Sequence, residues 1–428
     1  MVVIGGIIGV GIFNNPSIVA GRLDTPGLVL AAWAVGGAVA LAGAFAYAEL
    51  GNLMPRVGGQ YAYLGAAWHP VVGFLYGWAL LFMIETGAMA AVAIIFAQYA
   101  LRLAGTPDAS PQWLAVSAIA VLSVINYFGV KPGSRVLNVF VVLKIAALGT
   151  LILFAWFQPS MPGWLSAARI DDTPSTALSF GAALIPILFS YGGWQVANYV
   201  AEEMRNPERH LPRSLIIGTI AVVVIYLLIN VSYLRTFGLI GLASTETPAA
   251  DAASRWFGAG GERFVAAAIA TSAFGFLNLA VLAPTRVYYA MAADGAFFSS
   301  LSRLHPRYGT PSAAIVLQSG WAILLTLTGK YDQLLNTVVF ADWIFFGLTV
   351  GGLFVLRRRL GRPGGFRTPW YPALPAAFVL VAAAVVCSTI AVAPVRSAIG
   401  AGLLLLGIPV FFVFKWMNRS RAPEKPGA

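Results

Sequence analysis

Charge and cysteine are the scarce components of this chain. Only 10% of its 428 residues are charged, and it contains one cysteine and three histidines. Soluble domains carry about 25% charged residues, so this composition excludes an ordinary soluble protein. The single cysteine, Cys387, excludes an intramolecular disulfide, and all three histidines fall in polar connectors.

Sequence motifs of common catalytic and metal sites are absent as well. The chain has no HExxH, no nucleophile elbow, no P-loop and no paired Cys/His spacing. We therefore expect no enzyme, no metal site and no cofactor.

What the chain has in quantity is apolar sequence, with 59% hydrophobic residues and a mean hydropathy of +0.80. The apolar blocks number about twelve and approach the ~20 residues that a membrane-spanning helix requires, whereas barrel strands are shorter and alternate in polarity. The sequence predicts an all-α integral membrane protein. The predicted spans are residues 2–21, 27–50, 71–102, 112–129, 136–157, 178–204, 214–236, 262–291, 312–329, 334–356, 372–392 and 397–417.

The net charge of +11 is better explained by membrane topology than by nucleic-acid binding. The predicted cytoplasmic connectors hold roughly twice as many Lys and Arg residues as the outer ones, which fits the positive-inside rule. We expect a multi-pass protein of the cytoplasmic (inner) membrane, with both termini cytoplasmic and no nucleic-acid partner. The first span lacks a basic flank, so a cytoplasmic segment is expected to precede it.

Two spans contain clusters of helix breakers. The first has glycines at positions 5, 6, 9 and 11 followed by Pro16, and the sixth has Pro186 and the pair Gly192 and Gly193. Glycine inside a helix costs ~1 kcal/mol relative to alanine. A broken helix within a membrane is tolerated only where its backbone lines a cavity or meets a ligand. Close helix packing through small residues is the alternative.

The positions of the two glycine clusters favour broken helices over close helix packing. If the first ten spans form two five-helix repeats, the two clusters occupy equivalent places, which is typical of a transporter's binding site. The predicted organisation is a first repeat at 1–158, an inverted second repeat at 177–356, two extra helices at 372–417 and a short cytoplasmic tail at 418–428.

Lys144 is an ionisable residue in the middle of the fifth span. It lies about nine residues, or ~13 Å of helix, beyond Arg135. An ionisable residue at that depth is expensive and indicates a function. Lys144 could donate to free carbonyls of a broken helix in place of a bound cation, or it could carry a proton, and both roles stay open.

The intramembrane carboxylates allow a functional and a structural interpretation. Glu85 in the third span could act in coupling or recognise a cationic group, or it could pair with a neighbouring helix or face an outer vestibule. Asp342 could line an access path or form a hydrogen bond inside the bundle. For Glu202 and Glu203, structural ion pairs with a basic connector are favoured over contact with substrate.

Two connectors carry structural predictions. Residues 51–70 are too polar to span, and we expect a short interfacial helix with Tyr61, Tyr63 and Trp68 at headgroup level. Residues 237–261 are predicted to form the one long outer loop.

An ordered set of motifs resembles a known family. Gly9-Val10-Gly11-Ile12-Phe13, Tyr47 to Gly51 and Pro55 to Tyr61 are similar to the amino acid–polyamine–organocation superfamily. Within it, Phe189 to Trp194 and Glu202 to Pro207 resemble the L-type amino acid transporter branch. The resemblance extends over nearly the whole chain.

The resemblance implies a bundle of two inverted five-helix repeats, with discontinuous helices one and six, plus two additional helices. Backbone amides of unwound helix one would bind the substrate α-carboxylate, and carbonyls of helix six would accept from its α-ammonium. Phe189 would act as an outer gate, and Lys144 would bridge helices one and eight where relatives use sodium. The implied substrate-binding residues are Gly9, Val10, Gly11, Ile12, Phe189, Ser190, Tyr191 and Gly192.

Two departures from the family pattern modify these expectations. Val10 stands where many members have Ser or Thr, so the carboxylate loses one side-chain donor. Eukaryotic relatives join an ancillary subunit through a cysteine between spans three and four, but residues 105–111 contain none. We expect no disulfide-linked partner.

The expected function is secondary active transport of L-amino acids by alternating access. Exchange of neutral amino acids is favoured, because no second charge obviously lines spans one and six. A proton-coupled symporter and a cationic amino acid or polyamine antiporter remain alternatives. A channel or receptor is disfavoured, because it would need a continuous polar pore or a soluble ligand-binding region and the sequence shows neither. The expected partners are the amino acid substrate and membrane lipid.

Overall fold

The computed structural model describes residues 2–55, 58–106, 108–129, 134–166, 176–199, 201, 204, 206–361 and 364–419. Most of these residues are helical, and no strand lies among them. Glu202, Glu203 and the end of the predicted tail, 420–428, lie outside the described residues. The ion pairs predicted for the two glutamates therefore stay predictions.

Each predicted span contains one helix or two consecutive helices. They are α1 (Val2–Ile7), α2 (Gly11–Ala20), α3 (Pro26–Leu53), α4 (Gln60–Ala67), α5 (Pro70–Ala79), α6 (Glu85–Leu103), α7 (Gln112–Tyr127), α8 (Ser134–Phe157), α9 (Thr176–Tyr191), α10 (Val196–Tyr199), α11 (Pro207–Ala243), α12 (Pro248–Leu282), α13 (Thr285–Ala293), α14 (Ser312–Thr328), α15 (Tyr331–Leu360), α16 (Ala373–Val392) and α17 (Pro394–Arg419). A π turn, Leu80–Ile84, joins α5 to α6, and a 3-10 turn, Ser299–Ser302, follows α13.

The length and polarity of the helices suit a bilayer. Within the described residues, seven helices are long and apolar enough to cross a membrane, and four shorter apolar helices accompany them. Large apolar side chains such as Leu380, Val395 and Trp416 are more than two-thirds exposed on α16 and α17. Such surfaces are stable against lipid, so the architecture is that of a multi-pass membrane protein.

The prediction of a long outer loop at 237–261 is wrong over most of its length. α11 continues to Ala243 and α12 already begins at Pro248. Gly238 and Gly258 have φ angles of 65° and 63°, in the left-handed region that glycine adopts without a steric penalty. Each helix bends at its glycine and continues beyond it, so the segment is largely helical despite its loop-like composition.

The short helix predicted in 51–70 is present as α4, but two of its aromatic residues lie elsewhere than expected. Tyr61 and Tyr63 are buried in protein, whereas Trp68 is 43% exposed. The Tyr61 hydroxyl donates to the Asp294 carboxylate at 2.9 Å. The Tyr63 hydroxyl accepts from Asn198 Nδ2 at 3.2 Å, and burial raises the pKa of Tyr63 to about 12. The two tyrosines find their polar partners within the protein, so they need no headgroup contact.

A buried ion pair fixes α3 to α15. The Glu49 carboxylate is fully buried and accepts hydrogen bonds from two nitrogens of Arg357 and from the Thr368 amide. The Arg357 guanidinium also lies 3.6 Å from the centre of the Tyr371 ring. Removing one partner of such a pair typically costs about 3–5 kcal/mol, because the other charge is left buried and uncompensated.

Helix contacts place α1, α2, α9 and α10 at the centre of the molecule. α2 packs against α9, α11 and α12, and α1 packs against α10 and α11. Around them α3 lies along α11, α6 along α12, and α7 along α14. Cys387 is exposed on α16, which packs against α15 and α9.

Candidate functional site

The first helix is interrupted where its glycines predict a break. α1 ends at Ile7 and α2 begins at Gly11, with residues 8–10 outside either helix. Gly11 starts α2 without a side-chain cap. The first amides of a helix have no intrahelical acceptor and carry the positive end of its dipole. This backbone can therefore bind an anion.

The second interruption meets the first at two glycines. α9 ends at Tyr191 and α10 begins at Val196, and Gly193 in the intervening turn has a φ of 104°. A Cβ atom on Gly193 would lie 2.2 Å from the Gly6 carbonyl oxygen, and one on Gly6 would lie 2.8 Å from the Gly193 oxygen. Both positions therefore require glycine, because the two backbones touch there.

Pro186 organises the polar contacts between α2 and α9. Proline has no N–H, so the Ala182 carbonyl loses its helical donor, and the Arg22 side chain donates to it instead. Asn15 is fully buried, and its Nδ2 donates to the Pro186 oxygen and to Ser190 Oγ, each at 2.8 Å. Sequence reasoning missed Asn15, although an amide inside an apolar span is a usable signal.

Tyr226 of α11 links the two interrupted helices. Its hydroxyl is buried and lies 3.1 Å from the Ile7 oxygen and 3.2 Å from the Ser190 oxygen. These carbonyls end α1 and nearly end α9, where helical amide donors run out, and the Ile7 oxygen also accepts from the Gly9 amide at 2.7 Å. The Ser190 oxygen keeps one lone pair for a further donor. No local motif marks Tyr226, so the sequence did not reveal it.

Replacing Tyr226 with phenylalanine should destabilise the protein by about 1–3 kcal/mol, because two buried carbonyls lose a donor. We expect a lower melting temperature of the purified protein in detergent. Tyr289→Phe is the matched control, since Tyr289 is 38% exposed. Equal melting temperatures for the two variants would contradict the bridging role.

Lys144 contacts the first break directly. Its side chain is 3% exposed, and Nζ donates to the Ile8 carbonyl oxygen at 2.9 Å. In the described part of the chain, no hydrogen bond joins Lys144 to α12. Lys144 therefore holds one free carbonyl of the interrupted helix with a charged donor, behind the cavity wall rather than in it.

A cavity of about 80 Å³ lies between the two breaks. It has room for a small solute or several waters, since one water needs ~10–15 Å³. Predicted site residues in its wall are Gly9, Val10, Gly11, Phe189, Ser190, Gly192 and Glu85. Ile12 and Tyr191 are buried and do not line it, and the Tyr191 hydroxyl donates to the Trp33 oxygen at 3.2 Å.

Two carboxylates, Glu85 and Asp342, also line the cavity. Glu85 begins α6 directly after the π turn, a feature often found at functional sites. Asp342 of α15 is 9% exposed, and its Oδ1 has no hydrogen-bond partner. In the described residues no ion pair joins either carboxylate to a basic side chain. The functional roles predicted for Glu85 and Asp342 stay predictions.

Phe189 closes one side of the cavity. Its ring meets that of Tyr331 edge-on, with centroids 6.5 Å apart, and the Tyr331 hydroxyl donates to Asn15 Oδ1 at 2.9 Å. An aromatic pair anchored by a hydrogen bond can cover a bound solute and can separate by rotation about side-chain bonds.

An interrupted pair of helices around a small cavity, in a multi-pass membrane protein, defines the class of solute carriers. The family model of amino acid permeases matches residues 1–414, and the chain belongs to this family. The family and the relatives below are transporters rather than enzymes.

The chain is similar over nearly its full length to several exchangers and transporters. It is 30% identical to the serine/threonine exchanger SteT of Bacillus subtilis over 96% of this chain and 94% of that protein. It is 30% identical to the human b(0,+)-type amino acid transporter 1 over 99% of this chain and 88% of that protein. It is 29% identical to the rabbit (Oryctolagus cuniculus) large neutral amino acids transporter small subunit 2, over 98% of this chain and 80% of that protein.

Proposed function

We propose that this protein is a secondary active transporter that exchanges L-amino acids across the cytoplasmic membrane by alternating access. One observation carries the proposal. The amino end of α2 and the carboxyl end of α9 open onto the same small cavity. Amides that begin one helix and carbonyls that end another, each carbonyl with a lone pair to spare, complement the carboxylate and ammonium that every α-amino acid carries.

The backbone supplies the proposed contacts. The amides of Val10 and Gly11, with Ile12 in the following turn, bind the α-carboxylate, and Gly9, whose own amide donates to the Ile7 oxygen at 2.7 Å, lines the cavity beside them. Val10 has no hydroxyl to offer, so this half of the site depends on main-chain donors and the dipole of α2.

The carbonyls of Phe189 and Ser190 accept from the α-ammonium, with Gly192 leaving room beside them, while Tyr191 lies behind the cavity wall. The Phe189 oxygen already accepts from the Gly192 amide at 3.1 Å, and its second lone pair remains for substrate. Phe189 itself acts as the gate, because its ring lines the cavity.

We further propose twelve membrane spans in two inverted five-helix repeats, 1–158 and 177–356, followed by two helices at 372–417 and a cytoplasmic tail at 418–428. Both termini are cytoplasmic. Support comes from the helix pairs: α2 with α9, α3 with α11, α6 with α12 and α7 with α14. Each of these four pairs joins one predicted span to the span five places later, which is compatible with a two-repeat bundle.

Lys144 stands in for a coupling ion in this proposal. Its ammonium holds the Ile8 oxygen, so the break is stabilised without sodium. Movement of substrate in one direction then drives the movement of a second substrate in the other.

The similarity to SteT, a serine/threonine exchanger, supports exchange of neutral amino acids. Proton-coupled symport and cationic amino acid or polyamine antiport are the alternatives. The loop 105–111 lacks cysteine, so no disulfide-linked subunit is proposed.

Purified protein in liposomes tests the exchange. Vesicles loaded with unlabelled neutral amino acids should take up a labelled neutral amino acid much faster than empty vesicles, because return of the carrier requires a substrate. Protein-free vesicles give the leak rate. Equal uptake into loaded and empty vesicles would exclude exchange, and a pH gradient that drives uptake into empty vesicles would favour the symporter.

A further inference from the structure

The cavity has two chemically different walls. The backbone of the two breaks lines one part of it, and the carboxylates Glu85 and Asp342 line another. The apolar side chains of Phe276, Val338 and Val339 also line the cavity. An α-amino acid bound by its head at the breaks therefore has an anionic wall within the same cavity.

Among the described residues, no basic side chain forms an ion pair with either carboxylate. Asp342 Oδ1 is buried without a hydrogen-bond partner, and no Lys or Arg lines the described part of the cavity. Lys144 is engaged at the Ile8 oxygen, and Arg102 and Arg357 form their ion pairs with other acidic residues. A buried carboxylate without a partner is unfavourable, whereas a carboxylate with a bound cation is compensated.

The backbone around Glu85 holds it at this position. The π turn Leu80–Ile84 places Glu85 at the start of α6, and Thr86 Oγ1 donates to the Leu81 oxygen at 2.7 Å within that turn. α15, which carries Asp342, packs along both the π turn and α6. Rigid helices thus present both carboxylates to one space.

We infer that Glu85 and Asp342 form a subsite for a second ammonium, so that the cavity takes L-amino acids with a cationic side chain, such as lysine or ornithine, in addition to neutral ones. This inference rests on the proposed amino acid site. The side-chain ammonium meets the carboxylate wall, and the apolar residues accommodate its methylene groups.

Lysine and norleucine provide the matched test, because their side chains have equal carbon chains and only lysine ends in an ammonium. Each is added as a competitor of labelled neutral amino acid exchange in proteoliposomes. In the natural protein, lysine should compete at least as well as norleucine. Norleucine competition without lysine competition would overturn the subsite and leave the proposed function standing. Failure of every amino acid to exchange would instead remove the proposed function.

Variants assign the effect to residues. Asp342→Asn and Glu85→Gln should each lower the lysine-to-norleucine ratio of apparent affinities about tenfold or more, since an ionised partner strengthens a hydrogen bond. Glu246→Gln, at an exposed carboxylate between α11 and α12, should leave the ratio unchanged. An unchanged ratio in both cavity variants overturns the inference, and so does a variant that alters only the pH profile of neutral exchange.

A binding measurement covers the case of a variant that does not fold. Lysine and norleucine should each raise the melting temperature of the natural protein, because a ligand of the native state stabilises it. The diamine obtained by removing lysine's carboxylate should raise it less than lysine does. Equal stabilisation by the diamine would overturn the amino acid assignment, since the backbone site would then contribute nothing.

Discussion

Replacing Lys144 with alanine should lower the rate of amino acid exchange by ~10–100-fold. A hydrogen bond from a charged donor contributes about 1.5–3 kcal/mol, and each 1.4 kcal/mol is about a factor of ten. In the variant the Ile8 carbonyl, which accepts from Nζ at 2.9 Å, has no donor at the break. The measurement is labelled uptake into loaded proteoliposomes, normalised to the amount of reconstituted protein.

Lys330→Ala is the matched control for this experiment. Lys330 is exposed at the start of α15, so its removal should leave the exchange rate at the natural level. A rate in Lys144→Ala equal to that of Lys330→Ala would remove Lys144 from the mechanism. Reduced yield with a normal rate per molecule would restrict Lys144 to a folding role.

Replacing Gly193 with alanine should destabilise the protein by about 2–6 kcal/mol. Left-handed backbone costs a non-glycine residue ~1–3 kcal/mol, and overpacking a buried contact costs ~1–3 kcal/mol more. Both terms apply, because Gly193 has a φ of 104° and its Cβ would lie 2.2 Å from the Gly6 oxygen. The melting temperature and the monodisperse fraction in detergent should both fall.

Gly149→Ala serves as the comparison, since Gly149 lies within α8 and a methyl group added there would have no neighbouring atom within 4 Å. Alanine there should be neutral or stabilising by up to ~1 kcal/mol. If Gly193→Ala melts at the temperature of Gly149→Ala, the contact between the two breaks is not needed for stability.

The sequence predicted the helices and the breaks because both depend on local chemistry. Apolar length marks a span, and the clustered glycines mark Gly9 to Gly11 and Gly192 to Gly193 as interruptions. Lys144 was recognisable for the same reason, since a charge among apolar residues stands out in any window.

The remaining parts of the site depend on which side chains meet across the bundle. Tyr226 lies one span away from Ser190 and more than two hundred residues from Ile7, yet its hydroxyl reaches both. The shared cavity of Glu85 and Asp342 likewise joins distant helices, so their sequence positions left a structural role open. Tyr61 and Tyr63 were placed wrongly because headgroup and buried tyrosines have the same local pattern.

The exposed position of Cys387 makes it the attachment point for a spectroscopic probe. The chain has no second thiol, so a fluorophore or spin label reacts at one known site without prior mutagenesis. α16 packs against α9, whose carboxyl end forms half of the proposed site. A label on this natural thiol would therefore report on the neighbourhood of α9 during turnover, in a protein of unaltered sequence.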